Sequence, residues 1–387
     1  MTYRSPWMTE ELDTFREPFR RFLAKDLAPH AERWRKDKIT DRSAWRALGE
    51  MGALLPSVPE AYGGLGASFA YDAAVIEDIE TMVPEMSTPV SVHSNIVAHY
   101  INQYGNDEQK KRFLPPMARG DILGAFALSE PEAGSDAAAL TTQAVRDGDY
   151  WVLNGTKSWV TSGNYAGAIL TMARTDSAKD RKGARGIGTF IVTPDLPGFH
   201  VGKKEDKLGL RASPTVQLTF DNLRVPAANL LGEPQMGFVY AMQSLENGRL
   251  GIAAQAVGIA RAALEAATAY AGERHQFSRP IREFQAIQFK LADMATRIAA
   301  SRTLLHAAAR AKDRGENVKQ ASSMAKLFAS ETAMFATNQA VQIFGGYGYV
   351  KDYPVERLFR DAKVTEIYEG TSEIQRIVIA REQYSHE

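Results

Sequence analysis

The sequence predicts a mainly α-helical protein with a β-sheet domain in its middle, and three parts of the 387-residue chain carry that prediction. Near the start, large apolar residues recur at the spacing of one helix face: Leu12, Phe15, Phe19, Phe22 and Leu23. Between about 122 and 235, short β-rich runs alternate with Gly, Pro and Asp, which is typical of strands and turns. From about 236 onward, long alanine-rich stretches return to helical periodicity.

These changes in composition and periodicity predict three domains: a helical domain over 1–121, a β domain over 122–235 and a helical domain over 236–387. The chain is long for a single hydrophobic core, which agrees with that division. Apolar residues make up 44% and charged residues 24%, as in an ordinary soluble globular protein. Small residues on several faces of the last helices favour close packing on more than one side, in a bundle or at a subunit interface.

Composition excludes several classes of function. Basic and acidic residues number 46 each, so no net positive charge draws the chain to nucleic acid or to an anionic membrane. The absence of cysteine excludes disulfides, thiolate nucleophiles and Cys-ligated zinc. His93 and His99 are six positions apart and no H-E-x-x-H occurs, so we expect no metal site. We also expect no membrane span, because we find no apolar run near 18 residues. The opening "MTYRSPWMTEEL" lacks a signal pattern and favours a cytoplasmic protein.

The β segment contains one strong turn signal and lacks the usual nucleotide signals. Asn154-Gly155 lies between two β-rich runs and predicts a two-residue hairpin turn. "AILTMART", "GTFIVT" and "TVQLTF" are further strand candidates. "GARGIG" (183–188) lacks the strand, third glycine and helix of a dinucleotide fold, and no P-loop occurs. A nucleotide bound by the usual phosphate loop is therefore excluded.

The stretch "EIYEGTSEIQR" (366–376) places Glu366, Glu369 and Glu373 three and four residues apart. One continuous helix would stack these like charges, which is mildly destabilising, and Gly370 favours a break. Ser372 and the glutamine three residues later fit a capping box that opens a new helix. Glu366 then lies on a solvated last turn, and Glu373 complements the dipole of the new helix. Local structure leaves Glu369 unexplained.

Six stretches together resemble the acyl-CoA dehydrogenase family over nearly the whole chain: "FALSEPEAGSD", "SWVTSG", "LENGRLGIAAQA", "ERHQFSRPI", "QIFGGYGY" with "RDAK", and "IYEGTSEIQR". Singly, each has an ordinary structural explanation, such as a core tryptophan or a glycine helix stop. The resemblance implies an N-terminal helical domain, a middle β-barrel and a C-terminal four-helix bundle. It also implies a homotetramer, a dimer of dimers, and FAD bound without a Rossmann fold.

The resemblance also assigns roles to residues. It implies flavin-ring contacts at Phe126, Leu128, Ser129, Trp159 and Thr161, and a position near both flavin and substrate at Ser135. It implies contacts to the FAD of a neighbouring subunit at Arg274, Gln285, Gln342, Gly345 and Gly346, and further cofactor contacts at Thr371 and Glu373. Substrate-pocket residues are Glu246, Arg249, Tyr368 and Gly370, and the catalytic base is Glu369.

Two positions depart from the pattern of the family. Glu132 stands where many members have glycine, in a variable turn. In some branches the base lies just before the arginine of the "LENGR" region, but here that position is Gly248. Glu246 is two residues further back and is predicted to be a pocket wall. The basic loop "RTDSAKDRKGARG" (174–186) either contacts CoA phosphates or is a solvated loop, and the solvated loop is favoured.

The implied reaction is the α,β-dehydrogenation of an acyl-CoA. Glu369 would abstract the α-proton, flavin N5 would take the β-hydride, and trans-2-enoyl-CoA would form. Electrons would pass to an electron-transfer flavoprotein, in fatty acid β-oxidation or branched-chain amino acid catabolism. The motifs are closest to short- and branched-chain members. An oxygen-using oxidase and a non-catalytic assembly or nucleic-acid-binding relative remain as alternatives, although neutral charge and the intact Glu369 argue against the second.

Overall fold

The computed structural model describes residues 8–175 and 183–384, in which a helical part is followed by a β-sheet and then by a second helical part. The first part contains seven α-helices: α1 Glu10–Phe22, α2 Ala31–Asp37, α3 Arg42–Glu50, α4 Phe69–Met82, α5 Ser87–Ser91, α6 His99–Tyr104 and α7 Asp107–Ala118. π-Helices Leu23–Leu27 and Val92–Ala98 extend α1 and join α5 to α6. The order of the three parts confirms the expected fold class.

Local capping explains where the first helices begin. Thr9 Oγ1 accepts a hydrogen bond from the N–H of Leu12 at 3.2 Å and caps α1. Asn106 and Gln109 form a reciprocal capping box at the start of α7. The large apolar side chains that follow, including Phe19 and Trp45, are fully buried in the main core.

A buried charge cluster joins the first helical part to the second. Arg16 on α1 pairs with Asp78 on α4 at 2.6 Å, and Glu77 beside it pairs with Arg302 at 2.7 Å and Arg261 at 3.2 Å. Burial alone would raise the pKa of Glu77, but the arginines outweigh it and hold the pKa well below its usual range. Helix α4 is therefore fixed between α1 and the later helices, and this also places the groups on α4 that lie behind the site described below.

The middle part is one eight-stranded sheet of β1 Gly124–Ala127, β2 Gln143–Asp147, β3 Tyr150–Thr161, β4 Ala168–Arg174, β5 Ile187–Val192, β6 Phe199–Lys204, β7 Thr215–Pro226 and β8 Leu230–Leu231. Its order is β6-β7-β3-β2-β4-β5-β8, and β1 pairs with β4 in parallel. Buried side chains of β3 and β7 meet those of β4 and β5 in one cluster, where Trp151 and Phe190 pack 5.5 Å apart. The sheet therefore curls around a core of its own.

The predicted hairpin at Asn154-Gly155 is wrong, because β3 runs straight through both residues. The turn between β2 and β3 instead lies at Gly148-Asp149. The pairing of β3 with β7 shifts register between Leu153 and Gly155, which is a bulge and not a turn. A Cβ at Gly155 would lie 2.5 Å from Thr142 Oγ1, so this glycine serves a close approach of two chain segments.

The last part contains five helices and a short hairpin: α8 Gly237–Glu273, β9 His275–Gln276, β10 Arg279–Pro280, α9 Gln285–Asp313, α10 Lys319–Phe344, α11 Val355–Ala362 and α12 Ser372–Tyr384. Helices α8, α9 and α10 pack on one another, and α11 and α12 pack on α10. Helix α8 is long and apolar enough to cross a membrane, contrary to the expectation from the sequence. In this fold, 83% of the most apolar 18-residue stretch of α8 is buried inside the protein, as in a core helix.

Candidate active site

Glu369 lies in the turn between the 3-10 helix Lys363–Glu366 and α12, and its backbone is strained. Its φ is +53°, in the left-handed region that side chains other than glycine rarely adopt. Gly370 follows at φ +90°, where glycine carries no such penalty. Strain of this kind persists only where the surroundings enforce it, and it is concentrated at functional sites.

The side chain of Glu369 packs against α8 at the position of a glycine. A Cβ built on Gly248 would overlap Glu369 Oε2 and lie 2.9 Å from its carboxyl carbon. The residue as a whole is half-buried, but Oε2 is enclosed and finds no hydrogen-bond partner among residues 8–175 and 183–384. In the sequence, Gly248 was notable only because some branches of the family have their base at that position. In the structure, it provides the space for the carboxylate of Glu369.

Burial controls the ionisation of this carboxylate. It raises the pKa of Glu369 to about 7, and the charges of Lys326 and Arg249 oppose that rise without cancelling it. Burial also lowers the pKa of Lys326 to about 8 and lowers the pKa of Arg249. A carboxyl group with a pKa near neutrality is suited to act as a general base.

Side chains from two helices hold the turn. Gln375 Nε2 donates to the carbonyls of Glu369 at 3.1 Å and Gly370 at 2.9 Å, and Lys326 Nζ on α10 donates to the carbonyl of Gly370 at 2.8 Å. The cap of α12 is Thr371, whose Oγ1 accepts from the N–H of Ile374 at 3.3 Å. The predicted cap at Ser372 is therefore one residue late, and the buried Ser372 Oγ has no hydrogen-bond partner among the described residues.

Tyr368, the residue before Glu369, is anchored to α8. Its hydroxyl donates to Gln255 Oε1 on α8. Gln255 Nε2 in turn donates to Thr88 Oγ1 at 2.8 Å and to Glu80 Oε2 at 3.0 Å. Burial raises the pKa of Glu80 well above its usual value, and this outweighs the hydrogen bonds from Ser87 and Gln255 that act in the opposite direction. A buried hydrogen-bonded chain thus runs from the turn of Glu369 to α4.

The other acidic residues near the turn have different surroundings. Glu373 is exposed in the first turn of α12, and hydrogen bonds from its own N–H and from the Thr371 hydroxyl lower its pKa. Glu366 pairs with Lys363 at 2.6 Å and its side chain is 20% exposed, so it is less solvated than the sequence suggested. Glu246 is half-buried on α8, and burial raises its pKa.

A second group of predicted residues meets where β1 ends. The N–H of Ser158 donates to the carbonyl of Ser129 at 2.9 Å, which places Phe126, Leu128 and Ser129 beside the segment of Trp159 and Thr161. Pairing of β3 with β7 shifts register between Lys157 and Val160, so a bulge redirects Trp159. Trp159 has φ +61° and is 63% exposed. An exposed indole held in a strained conformation is suited to stack against a bound planar ring.

Lys157 supports this group and was missed in the sequence. Its fully buried Nζ donates to the carbonyl of Leu128 at 3.1 Å and to Glu130 Oε1 at 2.7 Å. Glu130 also accepts from the N–H groups of Thr141 at 2.6 Å and Thr142 at 2.9 Å. Burial lowers the pKa of Lys157 to about 8, so the ion pair holds the loop at a cost in desolvation. The signal in the sequence was a lysine within a β-rich run.

A third group lines an open cleft of about 1200 Å³ at the far end of the helices. Arg274, Gly345 and Gly346 line it, and the Arg274 guanidinium lies 5.4 Å from the centre of the Tyr347 ring. Phe277 at its edge is 89% exposed. An arginine, glycine backbone and exposed aromatic rings suit a nucleotide with phosphates.

The remaining predicted residues lie near these groups without lining the cleft. Gln285 begins α9 and Gln342 lies one residue before cleft-lining residues of α10, and both are exposed. Ser135 is exposed in the turn after β1. The possible CoA-phosphate loop falls largely on 176–182, outside the described residues.

The cleft and the buried glutamate are far apart on one chain. Gly248 and Arg274 are about seven turns apart along α8, or roughly 40 Å at 1.5 Å per residue. One dinucleotide cannot reach from the turn of Glu369 to that cleft. If both places hold FAD, they hold parts of different FAD molecules.

Fold and site together define the class: a three-domain enzyme with a buried carboxylate and a separate nucleotide-sized cleft. The chain matches the acyl-CoA dehydrogenase N-terminal domain over 9–121, the middle domain over 125–223 and the C-terminal domain over 235–384. It therefore belongs to the acyl-CoA dehydrogenase family. Its cofactor is FAD, and it is an oxidoreductase of the acyl-CoA dehydrogenase class.

Relatives at high identity agree with this assignment. The mitochondrial short-chain specific acyl-CoA dehydrogenase of Rattus norvegicus is 46% identical over 98% of this chain and 91% of its own length. Butyryl-CoA dehydrogenase of Megasphaera elsdenii superposes with a TM-score of 0.94 at 40% identity, covering 99% of this chain and 100% of that one. A chain in the structure described as the electron transferring flavoprotein of Acidaminococcus fermentans has a TM-score of 0.94 at 43% identity, covering 99% of both chains.

Proposed function

We propose that this protein converts a short-chain acyl-CoA to its trans-2-enoyl-CoA, with Glu369 as the base that removes the α-proton. The observation that carries the proposal is the enclosed carboxylate oxygen of Glu369, which has no hydrogen-bond partner in the described part of the chain and lies in the space left by Gly248. An unpartnered, buried carboxylate is costly, so its retention favours a role in which a proton of the substrate occupies that oxygen.

The residues around Glu369 suit proton transfer next to a thioester. With a pKa of about 7, the carboxyl group is partly ionised at neutral pH and still basic enough to take an α-proton. Among residues 8–175 and 183–384, the N–H of Glu369 donates to no other group. That N–H is available to the thioester oxygen, where negative charge develops as the proton leaves.

The residues at the end of β1 would hold the flavin ring. Bound FAD supplies the acceptor for the hydrogen and electron pair that leave the β-carbon. Trp159 offers an aromatic plate, and the ion pair of Lys157 with Glu130 keeps the backbone beside it in place. By the resemblance to the family, Ser135, Thr371 and Glu373 would also contact the cofactor.

The assembly we propose is a homotetramer, a dimer of dimers, in which the cleft of one subunit serves the FAD of its neighbour. The separation of roughly 40 Å between Gly248 and Arg274 supports this, because one FAD cannot contact both ends of α8. Gln285, Gln342 and the Gly345-Gly346 pair would complete the neighbour's site.

The substrate we propose is a short acyl chain, for which the names of the relatives give the support. Arg249 is buried on α8 beside Gly248, and none of the described residues accepts a hydrogen bond from its Nε. Arg249, Glu246, Tyr368 and Gly370 would form the walls near the thioester. The proposed pathway is β-oxidation or branched-chain amino acid catabolism.

The proposed electron acceptor is an electron-transfer flavoprotein, which would take the two electrons from the reduced cofactor. The structural relative described with an electron transferring flavoprotein supports this choice. Rapid, stoichiometric peroxide release during acyl-CoA turnover in air would instead identify an oxidase.

One experiment tests the function as a whole. The purified protein should be yellow and release about one FAD per chain on unfolding, and butyryl-CoA should bleach its flavin band without oxygen. Crotonyl-CoA should appear as the product. Release of FMN would refute the cofactor assignment, and a protein that stays colourless with added FAD would be a non-catalytic relative.

A further inference from the structure

The π-helix Val92–Ala98 lies between the flavin strand and the helix that carries Gly248. All seven of its residues are buried. On one side, His93 Nδ1 accepts from the N–H of Gly124 at 2.9 Å, where β1 begins. On the other side, Ile96 Cδ1 would lie 3.1 Å from a Cβ at Gly248. π-Helical segments are rare and occur frequently at functional sites.

Within the described part of the chain, two buried polar side chains have no hydrogen-bond partner, one on this segment and one just before it. Asn95 is fully buried, and neither its Oδ1 nor its Nδ2 makes a hydrogen bond to any residue that the structure describes. Ser91, one turn earlier, is fully buried as well, and its Oγ has no partner. An unpaired buried donor or acceptor costs about as much free energy as a lost hydrogen bond, so such groups need an explanation.

Both groups lie close to Glu369. A Cβ at Gly251 would lie 2.5 Å from Asn95 Nδ2 and 2.5 Å from Ser91 Oγ. Gly251 is three residues after Gly248, on the same face of α8, and residues so spaced have Cβ positions about 5–6 Å apart. The amide and the hydroxyl therefore lie roughly within 10 Å of the carboxylate of Glu369.

The neighbouring groups on this side of α8 are hydrogen-bonding side chains. One turn further along α8, Gln255 bonds to Thr88 and to the hydroxyl of Tyr368. Behind them, burial raises the pKa of Glu80 well above its usual value. A ligand group that pairs with Asn95 would thus meet hydrogen-bond donors and acceptors but no fixed positive charge among these residues.

We propose that Asn95 and Ser91 form a hydrogen-bonding end to the acyl pocket and select acyl chains that carry a neutral hydroxyl or carbonyl at about C4 to C6. This inference rests on the proposed function. An apolar chain of the same length leaves the amide and the hydroxyl unpaired, whereas a hydroxyl pairs with them. An ω-carboxylate is disfavoured because Gln255, Thr88 and Tyr368 offer no positive charge to compensate its burial.

The test compares chains of equal size that differ only in polarity. Wild-type holoenzyme is assayed with 5-hydroxypentanoyl-CoA, hexanoyl-CoA and glutaryl-CoA, with butyryl-CoA as the reference. We expect kcat/KM for the hydroxyacyl ester to exceed that for hexanoyl-CoA by about tenfold or more. Asn95→Leu should reverse the preference, and Ser91→Ala should shift it in the same direction by less. Asn102→Leu, a matched change seven residues further along, should keep the wild-type ratio.

The outcomes separate this inference from the proposed function. Equal or better use of hexanoyl-CoA by the wild type would overturn the inference, as would an unchanged ratio in both Asn95→Leu and Ser91→Ala. Glutaryl-CoA used as well as the hydroxyacyl ester would refute the neutral character of the site. Oxidation of butyryl-CoA without discrimination defeats this inference alone, whereas oxidation of none of the four esters defeats the proposed function.

Discussion

Replacing Gly248 by alanine should disable the enzyme by moving its base. The new methyl group would overlap Glu369 Oε2 and lie 2.9 Å from the carboxyl carbon. Ordinary contact between carbon atoms needs about 3.5–4.0 Å, so the carboxylate must move by roughly 1 Å. A displacement of that size can cost about 10²-fold in rate. The assay is anaerobic stopped-flow bleaching of the flavin band by butyryl-CoA, where we expect a loss of about 10²-fold or more.

Gly272 provides the matched control on the same helix. The nearest group to a methyl there is Arg282 Nη1 at 3.4 Å, which is ordinary contact. Gly272→Ala should therefore keep the rate, and it should stabilise α8 by about 0.5–1 kcal/mol, as alanine does in helix interiors. Bleaching by Gly248→Ala at the wild-type rate would refute the placement of Glu369 against this glycine.

Three further predictions concern ionisation, assembly and positioning. kcat/KM should rise with pH through an apparent pKa of about 7, because only ionised Glu369 accepts the proton. The pKa of Glu369 is higher in the folded protein than in the unfolded chain, so ionising this group destabilises the fold as the pH rises from about 4.5 to 7. Glu369→Gln cannot ionise, and it should therefore unfold at a higher temperature than wild type at pH 8 but not at pH 4. Arg274→Ala should lose bound flavin and the tetrameric state together. Flavin absorbance per chain and light scattering measure these two properties, and the change of exposed Arg282 in Arg282→Ala should leave both intact. Tyr368→Phe removes the bond to Gln255, and kcat should fall about tenfold with little change in KM; an unchanged kcat would refute the anchor.

The sequence predicted the helical and β parts because their periodicity and composition are local properties. It failed where partners distant in the chain decide the backbone. Asn154-Gly155 has the composition of a hairpin turn, but Thr142 and the neighbouring strand β7 hold it inside a continuous strand. The cap of α12 moved by one residue to Thr371, because either hydroxyl satisfies the local pattern.

For the candidate site as well, some features could be predicted from the sequence and others depend on tertiary packing. Glu369 could be selected from the sequence because the surrounding turn left it unexplained. The space that Gly248 leaves for it depends on packing between α8 and the last turn. Lys326 and Lys157 look like ordinary charges in the sequence, and only the fold buries them against Gly370 and Glu130. Asn95 became notable only once it proved to be buried without a partner.

The most direct test of the central claim compares two glutamates in one assay. Glu369→Gln keeps the shape of the side chain but removes the base, so it should still bind FAD and butyryl-CoA. Its rate of anaerobic flavin reduction should fall by about 10²–10⁴-fold, as expected for the loss of a general base. Glu246→Gln changes the rival carboxylate on α8 and should retain flavin reduction within about tenfold of wild type. If Glu246→Gln abolishes flavin reduction while Glu369→Gln leaves it intact, Glu369 is not the base.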